Sequence, residues 1–284
     1  MGRPAGDAGF DLSAYLERIG LDAPPAPTIE GLAELVRAHR FSIAFENLDI
    51  LLGRDVDLAP QAIFDKLVRR KRGGYCFEQN ALLHRAVTAL GLEGRPLLGR
   101  VWFRVEGDEV APPQTHQLEL VTVDGEPWII DAGFGGSLTP PMRLAEGETE
   151  PGPDGACFRL RRHDRFGWML ERRGPHTSLH APGDDESAWQ RQYSFTADLA
   201  HPADLEMGNH WTSTRPGTLF TSLLLVSRIT ETGFAVLMGN SLRLRGADTG
   251  LEIPIESPAA LREALDTHFG MVIDEDESKR LFSF

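Results

Sequence analysis

Cys76, His116 and Asp131 are the residues of this chain whose types and order could do covalent chemistry. Cys76 lies in Arg72-Gly73-Gly74-Tyr75-Cys76-Phe77-Glu78, just after a Gly-Gly turn and where a long apolar run begins. His116 lies in Thr115-His116-Gln117-Leu118, and Asp131 closes Trp128-Ile129-Ile130-Asp131. In that order they supply a thiol nucleophile, its general base and the group that orients the base. A cysteine at a helix N-terminus feels the positive end of the macrodipole, which favours thiolate. A neighbouring imidazolium would favour it further, and such an ion pair attacks thioesters and other acyl compounds.

The elements that must position these residues can be read around them. Asp124-Gly125 separates the run Leu118–Val123 from Trp128-Ile129-Ile130 and signals a hairpin. A two-residue turn makes Val123 face Glu126, which carries Leu118 opposite Asp131. His116 is two residues from Leu118, on the same face of its strand. Asp131 then sits diagonally from His116, about 7–8 Å away between backbones, a gap that side chains span. A slip of one residue would destroy the pair.

Upstream, the first third reads as helical. Thr28 caps a helix with Glu30 in its first turn and Ile29, Leu32, Leu35 and Val36 as a stripe. Pro60 opens a second helix with Ile63, Phe64, Leu67 and Val68 on one side. A third starts near Cys76, carries Leu82, Leu83, Ala86, Val87 and Leu90, and stops at Gly91. From about residue 95 the texture turns strand-like: Arg100–Val105, Gln117–Val123, Pro127–Ile130 and Phe158–Arg161. Residues 145–156 and much of 174–187 read as loop, and strand-like runs resume over 190–245. Ser257-Pro258 begins a final helix through Leu261, Leu265 and Phe269 that Gly270 ends. Helices first and strands afterwards indicate an α+β fold.

Composition narrows the function. The chain has 284 residues, 41% of them hydrophobic, enough for one large or two to three small cores. Its formal net charge of −13 argues against non-specific nucleic-acid binding and anionic membranes, so an anionic ligand needs a local basic pocket. Cys76 and Cys157 are the only cysteines; no Cys/His cluster has metal spacing, and no disulfide framework is implied. No apolar h-region opens the chain and no apolar run reaches membrane length, so a soluble cytoplasmic protein is expected. Gly133-Phe134-Gly135-Gly136 resembles half a dinucleotide fingerprint, but Pro140-Pro141 stands where the helix should start. The glycines would still let backbone approach a phosphate or thioester closely.

On residues alone two readings stay open. A cysteine beside an apolar helix is commonly a small core residue, and a histidine or aspartate at a strand end is commonly a surface or cap residue. Cys157, amid Gly-Pro-Asp-Gly-Ala, shows no partner and reads as structural.

The blocks RGGYCFEQN at Cys76, THQLEL at His116 and WIIDAGFGG at Asp131 together resemble the arylamine N-acetyltransferases. Ala44-Phe45-Glu46-Asn47-Leu48-Asp49 is similar to that family's FEN block, and Asn209–Pro216 with Phe220 to the opening of its third domain. The resemblance implies an N-terminal helical bundle over 1–94 with the catalytic cysteine, and a β-barrel over 95–200 with the catalytic His and Asp. An α/β lid over 201–284 completes it, with a cysteine-protease-like core. It implies ping-pong transfer of acetyl from acetyl-CoA through a Cys76 thioester to an arylamine, arylhydroxylamine or hydrazide, with no bound cofactor or metal. It places Phe45, Phe134 and Phe220 in an acceptor pocket, Phe45 being equally readable as core, and Gly135 and Thr214 against CoA. Ala132 departs from the usual valine and should only enlarge local space. Amide synthases that close macrolactams from carrier-bound polyketide thioesters share the same three residues and are the alternative. A cysteine peptidase or glutaminase would use the same chemistry, but nothing in the sequence suggests a peptide groove.

Overall fold

The computed structural model describes residues 9–152, 154–175, 185–246 and 250–284; the loop expected over 174–187 lies mostly outside them. The N-terminal helices are α1 (Leu12–Ile19), α2 (Ile29–Ser42), α3 (Leu48–Leu51), α4 (Pro60–Phe64) and α5 (Cys76–Ala89), with a two-residue strand, β1 (Phe45–Glu46), between α2 and α3. Local chemistry sets the helix ends. The Thr28 hydroxyl accepts from Gly31 N at 3.3 Å, Pro60 takes the first helical position of α4, and Gly91 follows α5 with a φ of 84°. The single helix expected from Pro60 instead widens into a π-turn over Asp65–Arg69. The extra residue keeps Leu67 and Val68 inward and also turns Lys66 into the interior, where carboxylates meet it.

The middle of the chain forms an eight-stranded antiparallel sheet that curls into a nearly closed barrel. Its strands that matter here are β2 (Glu93–Val101), β3 (Gln114–Val123), β4 (Glu126–Ile130), β5 (Met142–Arg143), β8 (Gly167–Arg173) and β9 (Gln190–Phe195); β6 (Thr149–Pro151) and β7 (Cys157–His163) complete it. The strand expected at Arg100–Val105 lies earlier, at 93–101. Pro96 is tolerated there because β9 reaches β2 only at Gly99–Val101, leaving an open flank. A short strand at Thr149–Pro151 also interrupts the loop expected over 145–156. The Asp124-Gly125 turn pairs Val123 with Glu126 and Glu119 with Ile130, the register the sequence predicts. Both turn residues have positive φ, 51° and 82°, which matches the strand twist.

Downstream of the barrel the chain forms α6 (Pro202–Thr214), α7 (Leu219–Ser222), a hairpin ladder β10 (Leu225–Thr230), β11 (Gly233–Met238), β12 (Ser241–Arg245) and β13 (Gly250–Pro254), then α8 (Pro258–Phe269) and α9 (Glu275–Leu281). The strand-like reading of 190–245 therefore misses α6. That helix has no apolar stripe; its start is marked by Pro202 at N1 and by Asp204, whose carboxylate accepts from His201 N at 3.1 Å. The C-terminal sheet has the order β1-β10-β11-β12-β13, so its edge strand comes from the N-terminal third.

Two cores fix the geometry around Cys76, His116 and Asp131. Tyr15, Leu32, Leu35, Ile63, Leu67 and Leu83 from the helices share one cluster with Val121, Ile130 and Ala132 of the hairpin. Each such side chain contributes about 1.5–3 kcal/mol by burial, so α5 is held firmly on β2 and β3. Ala44, Leu48 and Leu51 join Leu224, Val226 and Leu237 of the C-terminal sheet and Leu261 and Leu265 of α8 in a second cluster. That cluster binds the C-terminal part to the FEN segment.

Candidate active site

Cys76 is the first residue of α5, and its helix start is built from both neighbouring motifs. Glu46 N donates to Gly74 O at 3.1 Å and Gly74 N to Ala44 O at 3.3 Å, so the FEN and Arg-Gly-Gly blocks are zipped together. A Cβ on Gly73 would lie 2.3 Å from Ala44 O, which excludes any other residue there. Beneath the turn, Arg72 pairs with Glu46 at 2.9 Å, and Lys66 pairs with Glu78 at 2.8 Å and Asp49 at 2.7 Å. Glu78 also takes Tyr75 N at 3.1 Å, satisfying an orphan donor of the helix end. Burial holds Glu78 above the usual carboxylate range, with Lys66 opposing. Removing one member of such a buried ion pair costs about 3–5 kcal/mol.

His116 and Asp131 meet as the hairpin register requires. His116 Nε2 donates to Asp131 Oδ2 at 2.7 Å, and both residues are buried. Asp131 Oδ1 takes Gly133 N at 2.7 Å, Phe134 N at 3.1 Å and Asn80 Nδ2 at 3.0 Å. Burial alone would raise the Asp131 carboxyl, but His116 and these donors hold it below its ordinary value. Burial likewise opposes charge on His116, yet Asp131 overrides it and pushes the imidazole up to about 10. The ring therefore carries both protons at neutral pH. With Nε2 committed to Asp131, Nδ1 is the nitrogen left toward Cys76, whose side chain adds to the upward push on the imidazole. The thiol also lies 3.5 Å from Thr115 O.

The Gly133 loop closes this arrangement from the other side. A Cβ on Gly133 would come within 2.7 Å of Cys76 Cα and 2.6 Å of Asn80 Nδ2, so only glycine lets the Asp131 loop touch the start of α5. Sequence reasoning passed over Asn80, which binds Asp131 through Nδ2 and Ala132 N through Oδ1 at 2.9 Å. Its position one turn after Cys76 on the same helix face is the signal that was available. It also passed over Arg40, which is buried and donates to Ala132 O at 3.0 Å and Phe134 O at 2.9 Å.

The aromatic residues gather at the same place. Phe45 and Phe220 lie 5.8 Å apart between ring centroids, in one cluster with Tyr75 and Cys76. Phe134 meets the His116 ring edge-on at 5.3 Å. Asn47 fixes the Phe220 segment, donating to Phe220 O and Leu223 O at 2.8 Å each. Gly135 packs against the Phe45 ring, and its carbonyl accepts from Ser227 Oγ at 2.9 Å. Thr214 is different: it is exposed at the end of α6, with its hydroxyl on His210 O at 2.6 Å. Among the described residues, no group of three His, Cys, Asp or Glu side chains could hold a metal ion.

The arrangement has counterparts in known proteins. A family model described as N-acetyltransferase matches residues 28–278. The arylamine N-acetyltransferase of Mycolicibacterium smegmatis is 40% identical over 267 residues, covering 92% of each chain. The chain belongs to the arylamine N-acetyltransferase family. The family extends to a Salmonella typhimurium relative named arylamine N-acetyltransferase / N-hydroxyarylamine O-acetyltransferase, 34% identical over 93% of this chain and 90% of that one. The Mycobacterium marinum arylamine N-acetyltransferase solved in complex with CoA superposes with a TM-score of 0.84 at 33% identity, over 96% of this chain and 99% of that one. Arylamine N-acetyltransferases are thus its relatives in fold as well as sequence, and the α+β reading holds. No helix among the described residues is long and apolar enough to cross a membrane.

Proposed function

We propose that this chain is an acetyl-CoA-dependent arylamine N-acetyltransferase that works by ping-pong transfer through a Cys76 thioester. The observation that carries the reading is the buried His116–Asp131 pair, with the other face of the imidazole turned to a thiol at the start of α5. In this mechanism Cys76 reacts as a thiolate whose proton His116 has taken. The thiolate attacks the acetyl carbonyl of acetyl-CoA, the bond from that carbon to the CoA sulfur breaks, and the leaving thiolate takes the proton from His116. First-turn N–H groups of α5 lie at the correct end of the helix to meet charge developing on the carbonyl oxygen. An arylamine, arylhydroxylamine or hydrazide then attacks the thioester. His116 accepts its proton, the bond to Cys76 breaks, and the acetylated product leaves.

Phe45, Phe134 and Phe220 form the acceptor pocket in this reading, their rings suited to a flat aromatic amine. Gly135 and Thr214 contact CoA. Residues 1–94 act as the helical part carrying the nucleophile, 95–200 as the barrel carrying base and orienter, and 201–284 as the lid. Steady-state kinetics with acetyl-CoA and a panel of anilines and hydrazides test the proposal. Parallel reciprocal plots at varied acceptor are expected; absence of turnover across the panel, from folded protein, would overturn it.

A further inference from the structure

The loop between β4 and β5 is held by side chains, not by its own backbone. Among the described residues, no backbone–backbone hydrogen bond involves positions 132–141. Three of the six residues from Ala132 to Ser137 are glycine, so fixing one conformation there is costly in entropy. The start of the loop is held twice: Asn80 Oδ1 accepts from Ala132 N at 2.9 Å, and Asp131 Oδ1 accepts from Gly133 N at 2.7 Å.

Further along, Arg40 takes over. This residue lies in the last turn of α2 and is only 3% exposed. Its Nη1 donates to Ala132 O at 3.0 Å, and its Nη2 donates to Phe134 O at 2.9 Å and Ser137 O at 3.3 Å. The carbonyl between them, Gly135 O, is taken by Ser227 Oγ at 2.9 Å. Burial pushes the guanidinium down to about 10, with Asp131 opposing, so it stays charged at neutral pH. Burying a charge against carbonyls is expensive, and a flat fork spanning three carbonyls of one loop is a constraint on shape that a lysine's point charge does not supply.

The residue at the centre of that span is Phe134, whose ring stands edge-on to His116 at 5.3 Å and to Tyr193 at 5.2 Å. We propose that Arg40 is a positioning residue for the acceptor half of the reaction: by holding the carbonyls on either side of the loop's turn, it sets where the Phe134 ring stands and so how tightly a flat aromatic acceptor is bound. This rests on the acetyl-transfer reading above. Asp131 keeps His116 and Asn80 without Arg40, and Gly135 O keeps Ser227, so acetylation of Cys76 is spared.

Arg40→Lys, which retains the charge and loses the fork, is the test. Single-turnover acetylation by acetyl-CoA should run at the wild-type rate. The KM for 4-anisidine should rise about tenfold with little change in kcat, the worth of a displaced aromatic contact. Decay of the acetyl-enzyme in hydroxylamine, which has no ring to seat, should match wild type. Arg40→Gln serves if the lysine variant does not fold by circular dichroism. Val36→Ala, a core truncation in the same helix, is the control for lost stability: it should lower the urea midpoint and leave the KM alone. Wild-type protein that acetyl-CoA does not acetylate would overturn the reading of function and this inference with it. Given an acetylated wild type, an unchanged 4-anisidine KM, an equal loss with hydroxylamine, or the same rise in Val36→Ala would overturn the role of Arg40 alone.

Discussion

His39 and His116 are both buried, yet the protein leaves one neutral and the other charged. His39 Nδ1 meets the Tyr15 hydroxyl at 2.9 Å and Nε2 meets Gln79 Oε1 at 2.6 Å. Gln79 Nε2 donates to Ala44 O at 2.9 Å and Gly74 O at 3.0 Å, so its oxygen must accept from the histidine. Burial outweighs the Gln79 hydrogen bond, Arg40 and Arg18 add to it, and His39 is pushed down to about 3. His116 faces a carboxylate and is pushed up instead. Burial sets the stakes, and the partner's charge decides the outcome. The two serve one end: neutral His39 anchors, through Gln79, the Gly-Gly turn that presents Cys76, while in the proposed mechanism His116, held charged by Asp131, is the partner of Cys76.

The comparison breaks most severely if His116 is given a neutral partner. Asp131→Asn should lower the rate of Cys76 acetylation by about three to four orders of magnitude, because the ring loses its orienter and its charge. Single-turnover measurements check this, and a wild-type rate would defeat the account of the pair. The converse change gives His39 a carboxylate. Gln79→Glu should leave that ring protonated in NMR titrations. It should also destabilise the fold by about 2–4 kcal/mol in urea, since Ala44 O and Gly74 O lose their donors. An unchanged midpoint with a neutral His39 would contradict it.

Stability against pH sharpens the contrast, since the signs differ. Folded His116 holds a proton between about 6.5 and about 10 that the unfolded chain lacks, so its contribution is complete below about 6.5 and drains as pH rises to about 10. For His39, lowered to about 3, the contribution is complete above about 6.5 and is lost as pH falls toward 3. Urea midpoints from pH 5 to pH 9 should show Asp131→Asn losing alkaline slope relative to wild type and His39→Gln losing acid slope. Identical slopes in all three proteins would remove the contrast. The smallest effect belongs to Cys157→Ala, which should leave kcat/KM within about twofold, Cys157 lying in β7 outside the candidate site.

Much of the site was legible because it depends on local rules. The Asp124-Gly125 turn, read with a period of two, fixes the register that brings His116 to Asp131. Caps at Thr28, Ser257 and Gly270 mark helix ends correctly. What escaped depends on distant partners. α6 packs through Gly208 against Phe77 and through Asn209, which donates to Val56 O at 2.9 Å, so it needs no apolar stripe. α9 is short and charged, marked only by the Asp274–Glu277 capping box. The partners of Asn80 and Gln79, Gln117 O and Ala44 O, lie 37 and 35 residues away along the chain, so helix spacing marks where Asn80 sits but not what it binds.

Intact mass after brief incubation with acetyl-CoA and no acceptor, with Cys76→Ala and Cys157→Ala in parallel, tests the central claim most directly. One acetyl group on wild type and on Cys157→Ala, none on Cys76→Ala, and loss of the adduct when an arylamine is added is the expected result. No adduct from folded wild-type protein whose Cys76 still reacts with iodoacetamide would contradict acetyl-CoA as the donor.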